Sequence, residues 1–214
     1  KIRILSNLLE APAILTNFSR LLIDCNRGKD DPTLISCLSD GTIVPGNIQL
    51  STTSISHRIE HFYDPYHKAI ATTINQALLK NIVPSLISIH TFTPQWKGTA
   101  RPWHAGILWD KDPRLAEPLI KELRKLSDII IGNNEPYRGW LRGDTLWKHG
   151  TQRGVPHVLI EIRQDLLRNE TSIHKWGDTL SSIILSILSD TNLNKDLSKL
   201  ILYGSKTDKD SLNF

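Results

Sequence analysis

Short apolar runs of strand length, set between stretches of helical period, constrain this chain more than any other feature. Leu86-Ile-Ser-Ile-His90 is one such run, with Thr91, Thr93 and then Pro94 after it. It reads as a buried strand whose carboxyl end opens into a loop. Arg20-Leu-Leu-Ile-Asp24-Cys-Asn26-Arg27 has the same form, and His157-Val-Leu-Ile-Glu161-Ile-Arg163 carries charges inside such a run. Residues 105–109 and 128–132 read as two further short strands, the latter ending in Asn133-Asn134-Glu135-Pro136.

Helical stretches lie around these runs. Asp64-Pro65 opens one, with Tyr66, Ile70, Ile74 and Leu78 recurring every four residues up to Lys80. Asp112-Pro113 opens another, to about residue 126. Residues 173–188 form a strong amphipathic helix and 194–202 a weaker one, and residues 1–10 look like the end of a helix stopped by Pro12. Strands alternating with helices predict an α/β fold with a largely parallel sheet. One domain is expected over residues 1–203, with a flexible polar tail over 204–214. The chain begins at Lys1 and contains no methionine, so a further amino-terminal portion, a strand and loop, is expected before it.

In open α/β sheets, ligands sit outside the carboxyl ends of the strands. Three strands delivering His90, Asn26 with Arg27, and Glu161 with Arg163 to one edge would make a site. The net charge of +4 is mild and its basic residues are scattered, which suits a pocket for a small anion and argues against nucleic acid. Cys25 and Cys37 read as two reduced thiols of a cytoplasmic protein. No apolar run is long enough to cross a bilayer, so no membrane partner is expected, and no signal peptide is visible.

No Walker, GxGxxG, GxSxG or CxxC pattern is present. His57, His61 and His67 cluster in the sequence with Glu60 between them; His57-x-x-Glu60 would suit a metal, but it precedes the helix in a loop and reads better as a surface cluster. His90 stands apart because it ends a strand, where it can reach a metal or a substrate. Glu161 lies inside an apolar strand, and a buried glutamate is costly unless paired or functional. The period of two puts Glu161 and Arg163 on one face. They are either an ion pair or a general base beside an arginine that steers an anion. The Trp-rich stretch Trp96, Arg101-Pro-Trp103-His104 and Trp109 reads as aromatic packing or as a pocket wall. The loop over 28–50 reads as an active-site wall, and that over 138–156 is rich in glycine.

Five segments carry a resemblance: Ser19-Arg20 through Asn26-Arg27, Tyr66-His67-Lys-Ala-Ile70, Ile89-His90-Thr-Phe-Thr-Pro94, Asn134-Glu-Pro-Tyr137, and Pro156-His-Val-Leu-Ile-Glu161 through Leu166. In this order they resemble the N-formylglutamate amidohydrolase family, related to aspartoacylase and the carboxypeptidases. The resemblance implies a three-layer α/β/α fold with a mostly parallel mixed sheet, of the zinc-exopeptidase kind. It implies a zinc ion with His90 as one ligand, the other ligands lying before Lys1. Glu161 would be the general base, and Arg20 would polarise the scissile carbonyl. Asn26 and Arg27 would bind the substrate, with Arg163 and Asn134 as further substrate-binding candidates. The implied reaction is zinc-dependent hydrolysis of an N-acyl, for instance N-formyl, acidic amino acid. The alternative is a metal-free binding module for an acidic metabolite or a protein partner.

Overall fold

The structure is a computed structural model and describes residues 2–208. In chain order the elements are α1 (Ile2–Leu8), the hairpin β1 (Leu38–Ser39) and β2 (Thr42–Ile43), α2 (Thr52–Arg58), α3 (Asp64–Leu79), β3 (Leu86–Phe92), and a second hairpin, β4 (Gln95–Trp96) and β5 (Thr99–Ala100). There follow β6 (Ala105–Leu108), α4 (Ala116–Leu123), β7 (Ile131–Asn133), α5 (Thr145–His149), β8 (His157–Arg163), α6 (Glu170–Ser189) and α7 (Thr191–Leu197). The main sheet has the order β3-β8-β6-β7. The β3–β8 and β6–β7 pairs are parallel and β8–β6 is antiparallel. The class is α/β with a mostly parallel, mixed sheet.

Strand periodicity divides this sheet into two unlike faces. Val158, Ile160 and Ile162 join Ala105, Ile107, Ile87 and Ile89 under α1, α4, α6 and α7 in the main core. Fully burying one Ile or Leu there contributes about 1.5–3 kcal/mol. Asn169 caps α6 in a capping box with Ser172, and the buried stripe Trp176, Leu180, Ile184 and Ile187 faces that core. On the other face, Leu159 and Leu108 meet Leu146 of α5, while Ile70 and Ile74 of α3 meet Val155 and Leu86. By alternation, His90 and Glu161 emerge on this second face.

Several expectations are corrected. Residues 20–25 form turns instead of a strand. Their backbone bonds are local or go to the next loop: Leu22 N–H donates to Ser19 O and Asp24 N–H to Leu34 O. Ile23 and Cys25 pack in a small separate core with Leu34 and Tyr63, so the apolar run that imitates a strand is satisfied away from the sheet. The histidine segment expected in a loop is helical. α2, capped by Ser51, runs through a π-helical turn at Ile59–Tyr63 into α3. That wider turn admits Pro65, whose ring would clash with a carbonyl in a regular helix interior. The stretch 138–156 contains α5 and a 3-10 turn at Thr151–Arg153. In the expected tail, Ser205 is buried and the Lys206 N–H bonds to Asp110; residues 209–214 lie outside the described residues.

The non-strand segment is locked by one buried side chain. Asn47 donates from Nδ2 to the carbonyls of Leu21 and Ser36, both at 2.7 Å, and accepts from Arg58 Nη1 at 2.7 Å. Asn47→Ala leaves these partners unpaired and is expected to cost about 2–3 kcal/mol. Urea unfolding checks this, and a loss under about 0.5 kcal/mol would mean that water replaces the amide.

Candidate active site

The in-register pairing of β3 with β8 sets His90 opposite Glu161. Their side chains approach to 4.0 Å between Nδ1 and Oε1. Glu161 is 6% exposed, and its Oε2 has no partner among the described residues. Burial pushes its carboxyl up to about 7, with Arg20 and Arg101 pulling against that rise. Burial lowers the His90 pKa; Asp24 opposes this, and Arg20 and Arg27 add to it. Near neutral pH the pair is therefore a neutral imidazole beside a carboxyl poised to exchange a proton, rather than an ion pair.

Asp24, Asn26 and Arg27 sit in the turn segment, so the third sequence-predicted contributor reaches the site from a loop. Arg20 Nη2 binds Asp24 at 2.6 Å, and the other Asp24 oxygen accepts the Asn26 N–H at 2.9 Å. Asn26 Oδ1 accepts the Thr145 N–H at 3.3 Å. Arg27 donates to Thr33 Oγ1 and to the Asn26 carbonyl, and holds no carboxylate among the described residues.

This segment is held from behind by Tyr63, Thr145 and Lys148, which carry no signal in the sequence, and by His67, which is expected in a surface cluster and points inward instead. The Cys25 carbonyl meets His67 Nε2 at 3.1 Å and the Thr145 hydroxyl at 3.2 Å, and the Arg27 carbonyl accepts from Tyr63 Oη at 2.7 Å. Lys148 in turn bonds Tyr63 Oη. His67 Nδ1 faces His149 Nε2 at 2.9 Å, so one ring donates and the other accepts. His57 and His61 stack on the exposed side, as the surface reading expects. His67 lies six residues beyond His61, about 240° around a helix, which turns it inward.

That histidine pair gives a pH signature. Burial, aided by neighbouring cations, lowers His67 from 6.5 to about 3 and His149 to about 4. The unfolded chain then binds more protons than the folded one between those values and 6.5. Stability is full above about 6.5 and falls progressively as pH drops toward 4. Thermal midpoints across that range should fall with acidification in the parent and less steeply in His149→Gln. Equal slopes would remove the pair as the cause.

Arg163 is spent on the walls of the site, and Asn134 is engaged there through its Oδ1. Arg163 Nε binds Asp165 at 2.8 Å, and Nη1 reaches the carbonyls of Arg101, Pro102 and Trp103 at 3.1–3.4 Å. Asn134 Oδ1 accepts the N–H groups of Trp109 and Gly139 at 2.9 and 3.0 Å. Although Glu161 and Arg163 share a strand face, no ion pair joins them among the described residues.

The chemistry of His90 fits a share in a metal site. Its ring has no hydrogen bond among the described residues, and Glu161 Oε1 lies 4.0 Å from its Nδ1. One imidazole is only a partial donor set, since a catalytic zinc takes three protein ligands and an open position. The described residues contain no group of three His, Cys, Asp or Glu side chains able to hold a metal.

The model of the N-formylglutamate amidohydrolase family matches residues 3–168, and the chain belongs to that family. Its members are amidohydrolases, enzymes that cleave an amide of a small molecule. Gene product Atu2144 from Agrobacterium tumefaciens is similar in structure, with 29% identity and a TM-score of 0.79 over 92% of this chain and 75% of that one. The N-formylglutamate amidohydrolase from Ralstonia eutropha JMP134 shares the fold, with 20% identity and a TM-score of 0.63 over 89% of this chain and 82% of that one. No curated protein matches the chain. No helix among the described residues is long and apolar enough to cross a membrane.

Proposed function

We propose that the chain hydrolyses the amide of an N-acyl acidic amino acid, N-formylglutamate being the first candidate, to the free amino acid and a carboxylate. The observation that carries this reading is the in-register pair His90 and Glu161, with the glutamate buried, orphaned at Oε2 and raised to about 7. A carboxyl with that pKa can take a proton from water and return it to the leaving nitrogen at neutral pH. Asn26 and Arg27, held by the network behind Cys25, receive a carboxylate of the substrate, since a guanidinium fork matches a carboxylate in two bonds. Arg20, steered by Asp24, lies on the same side and stabilises the oxygen that gains charge as the amide is attacked. Arg163 and Asn134 hold the surrounding loops in place.

His90 would be one ligand of a zinc ion, with the remaining ligands supplied from outside the described residues. When bound, zinc supplies a Lewis acid and makes a water easier to deprotonate near pH 7. The test is a hydrolysis screen over N-formyl, N-acetyl and N-succinyl amino acids, with and without added zinc, with metal analysis of the protein. Release of the free amino acid from acidic members supports the proposal. Tight binding of such compounds with no hydrolysis, in metal-loaded protein, would favour the binding module instead.

A further inference from the structure

Arg101 is 8% exposed, yet it has no carboxylate partner among the described residues. Its Nη1 donates to Tyr137 Oη at 2.9 Å and to Thr93 Oγ1 and O at 3.2 and 3.4 Å. Nε and Nη2 carry no hydrogen bond there. The guanidinium lies among the rings of Phe92, Trp96 and Tyr137, at 5.8, 5.4 and 5.0 Å from their centroids. Those rings stabilise a cation and fix its plane, but do not neutralise it.

Another buried arginine shows the contrast. Arg114 binds the Asp112 carboxylate through Nε and Nη2 at 2.9 and 2.6 Å, and three backbone carbonyls take its remaining donors. Nε and Nη2 of Arg101 are not among the fully buried atoms left without a partner, so this edge of the fork is open to solvent and within reach of a ligand carboxylate. Arg101 is also in the right place. Its N–H bonds the Pro94 carbonyl and its own carbonyl is held by Arg163 Nη1. This seats it at the base of the β4–β5 hairpin, off the carboxyl ends of β3 and β8, beyond His90 and Glu161. Its charge reaches Glu161 and holds that carboxyl below where burial alone would put it.

We infer that Arg101 is a specificity residue, whose free edge (Nε and Nη2) receives the side-chain carboxylate of the substrate while Asn26 and Arg27 take the other carboxylate. This rests on the amidohydrolase reading above for the identity of the ligand, but not for the existence of the anion site. The aromatic cage orients the fork in advance, so little freedom is lost on binding.

Binding of N-formyl-L-glutamate and N-formyl-L-glutamine, which differ only at the side-chain terminus, separates the possibilities. Calorimetry on the Glu161→Gln protein, where turnover is stopped, should show the glutamate compound binding on the order of 10- to 100-fold tighter. Adding Arg101→Gln should reduce that ratio to within about twofold and leave the glutamine compound's affinity unchanged. Arg101→Lys, which keeps the charge without the fork, should give a ratio between the two. Equal affinity of the two compounds before any change at Arg101, or an unchanged ratio after it, overturns the inference. If the ratio collapses as expected but wild-type protein hydrolyses neither compound, Arg101 stands and the amidohydrolase reading falls. Hydrolysis with a ratio indifferent to Arg101 means the reverse.

Discussion

Glu161→Gln is expected to lower kcat by about a hundred- to ten-thousand-fold, with the fold, the metal content and KM close to those of the parent. Glutamine keeps the shape of the side chain and removes only its ability to move a proton. The site makes the change informative, because Oε2 lacks a partner among the described residues and so no hydrogen bond there is lost. Nor is a strong ion pair broken, since the His90 contact is 4.0 Å long and the carboxyl is raised to about 7 by burial. The variant should therefore be at least as stable as the parent, a buried amide being cheaper than a buried carboxylate. A kcat within about threefold of the parent would remove Glu161 from the chemistry.

Gly106→Ala should be among the most damaging small changes for stability, at about 2–4 kcal/mol. Gly106 on β6 is the antiparallel partner of Glu161. A methyl group there would collide with the Glu135 carbonyl oxygen, a backbone atom that cannot rotate away, and would press on Pro136 at 3.3 Å. Either the loop after β7 must move or β6 must shift against β8, so the damage reaches the site as well as the core. Gly46→Ala is the matched control, with nothing within 4 Å of the added carbon, and should change stability by less than about 0.5 kcal/mol. Equilibrium unfolding of both variants decides this; a stable Gly106→Ala protein with full activity would show that the loop yields freely.

The parts of the site that the sequence reveals are those whose logic is local. The alternation in His157–Arg163 places Glu161 opposite the Val158, Ile160, Ile162 face without reference to anything else, and His90 is set on β3 by the same reasoning, although the strand runs two residues past it to Phe92. Residues 20–25 defeat that logic. Leu21, Leu22 and Ile23 look like β3, but Ile23 is buried against Tyr63, which comes forty residues later, and no local pattern announces that competing core. Arg101 is hidden for a related reason. Its meaning comes from rings at 92, 96 and 137 and from the lack of a carboxylate, and neither is a property of a sequence window. Arg163 misleads in the other direction, because shared strand parity with Glu161 says nothing of the three carbonyls that claim its donors.

The central claim is that His90 and Glu161 act as one unit on an amide, and a double-mutant cycle tests it most directly. Values of kcat/KM for hydrolysis of N-formyl-L-glutamate would be measured for the parent, His90→Ala, Glu161→Gln and the double variant. Residues working as a unit predict that the double variant is no worse than the poorer single one, within about threefold. Two losses that multiply, or parent-like activity in either single variant, would contradict the account.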